Sequence, residues 1–426
     1  MQLSASHLVL RAKQLEIELM RHLAGRVELA DVTGQLIHAL QHERGASSLY
    51  LASGGQRFAA ERRSAMEQAG AVELSLQALF SEQQAPDRGA STRMLSLMAT
   101  ALLELDALAA FRARIEPAQT SPDEAVATFS RLIAGLMELI FQLADTPLQP
   151  DISRLLVAFF HLVQGKEAAG QERAVGAQLF ASGVCSEVGQ QRIIDLIDGQ
   201  ERSLQVFEAF AELALRQLWQ QQQLAPQVAR LERLRRTLCS AKPGATLDSL
   251  VSDSWFEVTS ARISELWQLQ VQLVQCLRQA CEQQIRSAEQ ELLDSEGLLQ
   301  HWLDNPPPQP PAVERLFQGD ELNPAAGIAG TTPLRPALAD WLQAQSERLA
   351  SMEVELEAAR RVMQERKVIE RAKGALMSRL GLSEEAAYRA LQKASMDHNR
   401  RLIDVAQATL SLPELVFGAK PGPHQN

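Results

Sequence analysis

Apolar positions recur every third or fourth residue along most of the chain between residue 5 and about residue 300. This spacing is typical of amphipathic helices, and the period of two that marks strands is almost absent. Proline and glycine interrupt the pattern at Gly54-Gly55, Ala85-Pro86, Ser121-Pro122, Pro147 to Pro150, Ala225-Pro226 and Lys242 to Gly244. Long helices joined by such short connections predict an all-α fold of antiparallel helical bundles.

A short motif occurs twice in this region. Glu43-Arg44 precedes Ala52-Ser53-Gly54, and Glu172-Arg173 precedes Ala181-Ser182-Gly183, so both parts of the motif are displaced by 129 residues. An ordered series of this kind indicates a duplicated helical unit. We therefore expect two stacked helical bundles, related by an internal repeat, in one domain over residues 1–303.

The arginine of each copy lies on the side of its helix that a protein normally buries. The apolar residues on these stripes are Leu36, Leu40 and Leu51 for Arg44, and Phe159, Leu162 and Phe180 for Arg173. A buried guanidinium keeps its proton and therefore needs an anion or a strong acceptor. Small residues about one turn further on are expected to leave room beside it. These are Ser47 and Ser48 in the first copy, and Gly176 and Ala177 in the second.

Two interpretations of the arginine pair are open from the residues alone. In the first, each arginine is structural and bonds a carboxylate or the carbonyls of a helix end. In the second, Arg44 and Arg173 face one small planar oxyanion from two sides, since the guanidinium fork bonds such groups through two oxygens at a time. Lys166 lies two turns before Arg173 on the same stripe and adds a third positive charge, although the first copy has Ile37 at that position.

The helical pattern ends at a run of prolines after Asp304. Proline removes amide donors and disfavours helix in the preceding residue, so residues 304–336 are expected to form a linker. Residues 337–364 are expected to form one helix. Its apolar seam, with steps of three and four, is Leu342, Gln345, Leu349, Met352, Leu356, Ala359 and Met363. The seam indicates a dimeric coiled coil, with an ordinary amphipathic helix as the alternative.

Residues 365–412 are expected to form a small domain of three helices, followed by a tail over residues 413–426. Gly381 ends the first helix and Ser383 caps the second. Nine basic and five acidic residues lie between Arg366 and Leu410, in a chain whose net charge is −10. Such a patch suits RNA loops, with a solvated helical face as the alternative. The candidate RNA-binding residues are Lys373, Arg379, Tyr388, Lys393, Arg400 and Arg401.

Composition excludes several classes of protein. Apolar residues make up 46% and aromatic residues 5% of the chain, as in helical proteins. The cysteines, Cys185, Cys239, Cys276 and Cys281, have no metal-ligand spacing, so we expect reduced thiols and no metal. The N-terminus lacks the pattern of a signal peptide, and no apolar run approaches the roughly 18 residues of a membrane span. A soluble cytoplasmic protein that is not an enzyme is expected.

Two segments resemble known families. The sequence from Val368 to Met377, with Gly381 to Tyr388, resembles the ANTAR family of RNA-binding antiterminators. The region of about residues 35–290 resembles the NIT nitrate- and nitrite-sensing domain. It contains Gln-x-Glu-Arg-Gly at 41–45, and Lys166-Glu167 followed by Gly170-Gln171-Glu172-Arg173. Together they resemble nitrate-responsive transcription antiterminators.

The resemblance implies how such a protein acts. It implies that nitrate or nitrite is the effector, that no cofactor is needed, and that Arg44 and Arg173 sense the anion. It also implies binding to paired hexaloop stem-loops in leader RNA, so that a terminator cannot form. The ANTAR-like segment does not follow a receiver domain, so phosphorylation is not the expected trigger. A homodimer is expected, at least in the active state.

Two other functions stay open at this point. One is a DNA-binding helical regulator that senses another small anion. The other is a phosphotransfer protein, because His42 followed by Glu43 on a helix resembles the phosphoacceptor box of histidine kinases, although no glycine-rich nucleotide-binding domain follows it.

Overall fold

The computed structural model describes residues 5–85, 90–144, 149–304, 361, 363–382, 384–398 and 400–411. The chain divides into two compact units, Met1–Glu353 and Val354–Asn426. Within the described residues every regular element is a helix, apart from one isolated bridge between Val184 and Thr246. The predicted all-α fold is therefore confirmed.

Four helices form the first part of the larger unit, and they are α1 (Ala5–Ala52), α2 (Ala59–Gln83), α3 (Thr92–Ile115) and α4 (Pro122–Ala144). Helix α1 packs against α2 and α4, and α3 packs against α4. Local sequence sets the ends of these helices. Gly54 and Gly55, just after α1, have φ angles of +63° and +83°, which favour glycine, and Ser91 caps α3 through Met94 N.

The second part repeats this arrangement with one additional break. Its helices are α5 (Pro150–Ser182), α6 (Glu187–Phe210), α7 (Leu213–Gln223), α8 (Pro226–Ser240) and α9 (Val251–Asp304). Helix α5 packs against α6 and α9, and α9 also packs against α1 and α8. Gly183 ends α5 with a φ of +69°, as Gly54 follows α1. The two copies of the motif therefore lie at equivalent places, near the carboxyl ends of α1 and α5.

Each part contains one buried ionic network, built on the glutamate of the repeated motif. Glu43 accepts from Arg112 through both oxygens, at 2.8 and 2.7 Å. Glu172 accepts from Arg235 in the same way, at 2.7 and 2.6 Å. Both carboxylates are fully buried, so each depends on its arginine for compensation of its charge.

Helices α3 and α4 are long and apolar enough, by length and composition alone, to cross a membrane. Neither helix contains an uninterrupted apolar run of that length, since Glu104 and Asp106 interrupt α3 and Arg131 and Glu138 interrupt α4. Both bury residues within the larger unit, where α4 packs against α1 and α3.

The smaller unit contains the three predicted helices, α10 (residues 363–380), α11 (Glu384–Asp397) and α12 (Leu402–Ser411). Their common core consists of Ala372, Leu376, Ala387, Leu391 and Ala406. Gly381 follows α10 with a φ of +66°, as expected for a helix stop.

Several predictions fall on residues that the structure does not describe. They are the linker after Asp304, the coiled-coil helix except for residues 361, 363 and 364, the cap at Ser383, and the tail over 413–426.

Candidate functional site

Arg44 lies inside the larger unit and bonds two other helices. Its Nη1 donates to Glu167 Oε1 on α5 at 2.5 Å and to Ser130 Oγ on α4 at 2.8 Å. Its Nη2 donates to Glu167 Oε2 at 3.2 Å. The side chain is only 3% exposed, as the stripe of apolar residues around it predicted. Arg44 therefore has the carboxylate partner that the structural interpretation requires.

Arg173 has the same kind of hydroxyl partner but a different electrostatic environment. Its Nη1 donates to Ser260 Oγ on α9 at 3.0 Å, and its guanidinium carbon lies 4.9 Å from the centre of the Phe256 ring. Within the part of the chain that the structure describes, no carboxylate pairs with it. The pKa of Arg173 is lowered to about 10, first by burial and then by the charge of Arg44, while Glu167 opposes the shift.

The two arginines approach each other across the pair of parallel helices α1 and α5. Gln41 on α1 bonds Glu167 on α5, and one turn later Gly45 faces Arg173, so the two helices run in the same direction. A Cβ atom on Gly45 would lie 3.1 Å from Arg173 Nη2, and one on Gly170 would lie 2.9 Å from Arg44 Nη2. These two glycines therefore provide the space for the guanidinium groups.

The expectation that Gly176 makes room for Arg173 is wrong. A Cβ atom on Gly176 would lie within 2.3 Å of the indole of Trp255, which is fully buried. The indole Nε1 of Trp255 donates to the carbonyl of Arg173 at 3.1 Å. Gly176 thus admits an aromatic ring from α9, and the space beside Arg173 comes from α1.

Lys166 lies in a neighbouring cluster and does not contact either arginine directly. Its side chain is fully buried, its Nζ donates to Gln270 Oε1 at 2.7 Å, and it lies 4.6 Å from the centre of the Trp267 ring. The imidazole ring of His38 stacks on the Trp267 ring, with 3.9 Å between the two ring centres. Burial lowers the pKa of Lys166 to about 7, although the charge of Glu167 raises it.

This lysine makes folding stability depend on pH. The unfolded chain holds the Lys166 proton up to its ordinary pKa of 10.5, whereas the folded chain releases it near 7. Lys166 therefore makes the free energy of unfolding increase as the pH rises from about 7 to 10. Its destabilising effect is largest below pH 7, where the buried side chain is charged. We expect Lys166→Met to raise the free energy of unfolding at pH 6 by about 2–4 kcal/mol.

The check is urea unfolding of Lys166→Met and the parent protein at pH 6 and pH 9. The difference between the two proteins should shrink at the higher pH. The exposed lysine variant Lys393→Met is the control, and its effect should not change with pH. An equal effect of Lys166→Met at both pH values would contradict the lowered pKa.

His42 is exposed and lines a surface cleft between α1 and α2 with Glu61, Ser64 and Gln68. Its ring lies 4.6 Å from that of His38. The repeat therefore carries its chemistry on the buried side of α1, while His42 lies on the other side.

The predicted RNA-binding residues differ in accessibility. Lys393, Arg400 and Arg401 are exposed, and Arg401 pairs with Asp404 at 3.2 Å. Lys373 is 8% exposed, bonds Glu370 at 2.9 Å and lies 5.9 Å from the centre of the Tyr388 ring. Arg379 and Tyr388 are half-buried. Lys393 lies in the second half of α11, and Arg400 and Arg401 immediately precede α12.

Several residues around the arginines were not among the sequence candidates. Ser130 and Ser260 bond the two arginines at equivalent places, and Glu167, Gln41 and Gly170 complete the surroundings. The two serines are 130 residues apart, close to the displacement of 129 in the motif. Extending the alignment of the two repeat copies beyond the motif would therefore have pointed to them. Glu167 lies in the segment that resembles the NIT domain, but the sequence does not show which residue of another helix it meets.

Comparisons with known proteins cover both units. The family model for nitrate and nitrite sensing (NIT) matches residues 35–278, and the ANTAR domain model matches residues 357–410. A nitrate regulatory protein of Klebsiella oxytoca is 32% identical over 411 residues, which is 95% of this chain and 94% of that protein. The solved structure of the NasR transcription antiterminator is similar with a TM-score of 0.60 and 30% identity, covering 94% of this chain and 96% of that one.

Proposed function

Because the chain belongs to the family of nitrate regulatory proteins that join a nitrate- and nitrite-sensing domain to an ANTAR domain, we propose that nitrate or nitrite binds between Arg44 and Arg173. The chain is a regulator of transcription that senses nitrate or nitrite and acts by RNA-binding antitermination, and it is not an enzyme. The family supports neither a DNA-binding regulator of another anion nor phosphotransfer through His42.

The observation that supports the ligand proposal most directly is that two inward-facing guanidinium groups share one carboxylate among the described residues. Arg44 has Glu167, whereas Arg173 has the hydroxyl of Ser260. Both groups offer planar pairs of N–H donors, which match the oxygens of a planar anion. One bound monoanion would compensate the remaining charge. Lys166 contributes long-range attraction from its neighbouring cluster.

We further propose that the smaller unit binds paired stem-loops in the leader RNA of nitrate-assimilation genes, where its binding prevents a terminator from forming. The exposed basic residues Lys393, Arg400 and Arg401 support contact with phosphates. The half-buried ring of Tyr388 is the stacking candidate. We propose that the active protein is a cytoplasmic homodimer. The ligand must bind the RNA-competent state more tightly, because equal affinity for both states shifts nothing.

The ligand proposal is tested by calorimetric titration of the full-length protein with nitrate, nitrite, sulfate and chloride. Binding of nitrate or nitrite at concentrations where sulfate and chloride give no heat supports it. Equal heats from all four anions would show a nonspecific charge effect and contradict the proposal.

The RNA proposal predicts different effects for exposed and buried basic residues. Arg400→Ala or Lys393→Ala should weaken binding to every RNA and reduce the salt slope of log K by about one. Tyr388→Ala should cost about 1–3 kcal/mol of RNA affinity if a base stacks on its ring. Lys373→Ala should act mainly on stability, because its ammonium is held by Glu370. Filter binding at several salt concentrations measures these effects, and an unchanged slope in the exposed variants would contradict phosphate contact.

A further inference from the structure

The guanidinium of Arg44 already holds an anionic group, and that group belongs to the chain itself. Both oxygens of the Glu167 carboxylate accept from Arg44, at 2.5 and 3.2 Å. Gln171 Nε2 donates to Oε1 at 2.8 Å, and Gln41 Nε2 donates to Oε2 at 2.8 Å. The carboxylate is thus a planar, singly charged acceptor that receives four N–H donors.

Nitrate and nitrite have the same charge and place two or three oxygens in one plane. They can therefore satisfy the same guanidinium fork and the same two amides. The group of donors formed by Arg44, Gln41 and Gln171 is an oxyanion site, and in this structure the Glu167 carboxylate occupies it. An ion cannot bond the fork of Arg44 through two oxygens while Glu167 does so.

Arg173, the arginine of the second copy, has no such internal anion among the described residues. The position 129 residues before Glu167 is His38, whose pKa is lowered to about 2 by burial and by nearby positive charges, so it adds no charge. The carboxylates next to the two arginines are bound elsewhere, Glu43 by Arg112 and Glu172 by Arg235. Among the described residues, Glu167 is therefore the one carboxylate that forms an ion pair with either Arg44 or Arg173.

We propose that Glu167 is a built-in competitor of the ligand, which holds Arg44 when the site is empty and is displaced when nitrate or nitrite binds. This inference rests on the proposed function and adds the residue that sets its affinity. The side chain of Glu167 is 8% exposed and the neighbouring Gln171 is partly exposed, so the displaced carboxylate has a short path towards water. Displacement also removes the ionic link between α1 and α5, and ligand binding thereby changes the contact between the two repeated parts.

The test is the nitrate affinity of full-length Glu167→Gln, measured by calorimetry. The neutral side chain cannot compete as an anion, so we expect nitrate to bind about tenfold or more tightly than to the parent protein. Glu172→Gln is the matched control, because Glu172 is a buried carboxylate on the same helix that bonds an arginine through both oxygens. Its nitrate affinity should stay within about twofold of the parent, since its partners are separate from the site.

Glu167→Asp gives a second measurement with a milder change. The shorter carboxylate keeps its charge but reaches Arg44 less well, so an intermediate gain in affinity is expected. Unchanged or weaker nitrate binding by folded Glu167→Gln overturns the proposal, and so does the failure of both variants to fold, which would make Glu167 a structural requirement. A parent protein that binds no nitrate refutes the proposed function. Nitrate binding that depends on Arg173 but not on Glu167 refutes only the competition.

Discussion

Arg173→Ala is expected to lose the nitrate response while the protein keeps its stability. The substitution removes one of the two proposed charge-assisted contacts to the anion, worth about 1.5–3 kcal/mol, or roughly ten- to hundredfold in affinity. It leaves only the hydroxyl of Ser260 without its donor, and this serine is partly exposed. Calorimetry with nitrate and a thermal melt of the same sample measure the two effects separately.

Arg44→Ala should lose nitrate affinity to a similar extent and should also lower stability. Here a carboxylate stays behind, because Glu167 is bonded to Arg44 through both oxygens and is almost fully buried. Removing one member of a buried ion pair costs about 3–5 kcal/mol, and the amides of Gln41 and Gln171 offset part of that cost. Arg21→Ala is the control, since Arg21 is 63% exposed and its pair with Glu289 is at the surface. Retained nitrate affinity in both site variants would contradict the proposed site.

Arg235→Ala is expected to have the largest effect on stability, without acting through the ligand. Glu172 is 1% exposed and loses both of its bonds to the guanidinium, at 2.7 and 2.6 Å. An uncompensated buried carboxylate lowers the free energy of unfolding by about 3–5 kcal/mol. Urea unfolding measures this loss as a shift of the midpoint. Arg286→Ala is the control, because both partners of its pair with Glu282 are exposed.

A double variant separates the charge from the packing of this network. Replacing Arg235 by Met and Glu172 by Leu together removes both charges and retains most of the volume. The double variant should recover much of the stability lost in Arg235→Ala, since an apolar pair of similar size often replaces a buried ion pair without loss. A loss of less than about 1 kcal/mol in the single variant would show that water or other donors compensate Glu172.

Much of the fold could be predicted from local sequence. The helical period, the glycines after α1 and α5 and the prolines at the first positions of α4 and α5 set where helices begin and end. These effects act within a few residues. The burial of Arg44 followed from its apolar stripe for the same reason. The end of the first helix of the smaller unit followed as well, because Gly381 is a local stop signal.

The partners of the buried groups depended on tertiary structure. Periodicity gives the direction of a side chain from its own helix, but not which residue of another helix it meets. Arg44 meets Glu167 across 123 positions and Ser130 across 86, whereas its neighbour Glu43 meets Arg112 across 69. The adjacent glutamate of the motif therefore belongs to a bundle network and not to the arginine pair.

The sequence by itself determined that two equivalent arginines point inwards, because equivalent positions on two amphipathic helices with the same apolar pattern lie on the same face. Only the tertiary structure decided that they are unequal. Arg44 meets the carboxylate of Glu167, while Arg173 meets the hydroxyl of Ser260 and the ring of Phe256. The physical reason is that α1 and α5 pack side by side, so each arginine faces the helix of the other copy, and there the repeat has Glu167 on α5 but His38 on α1.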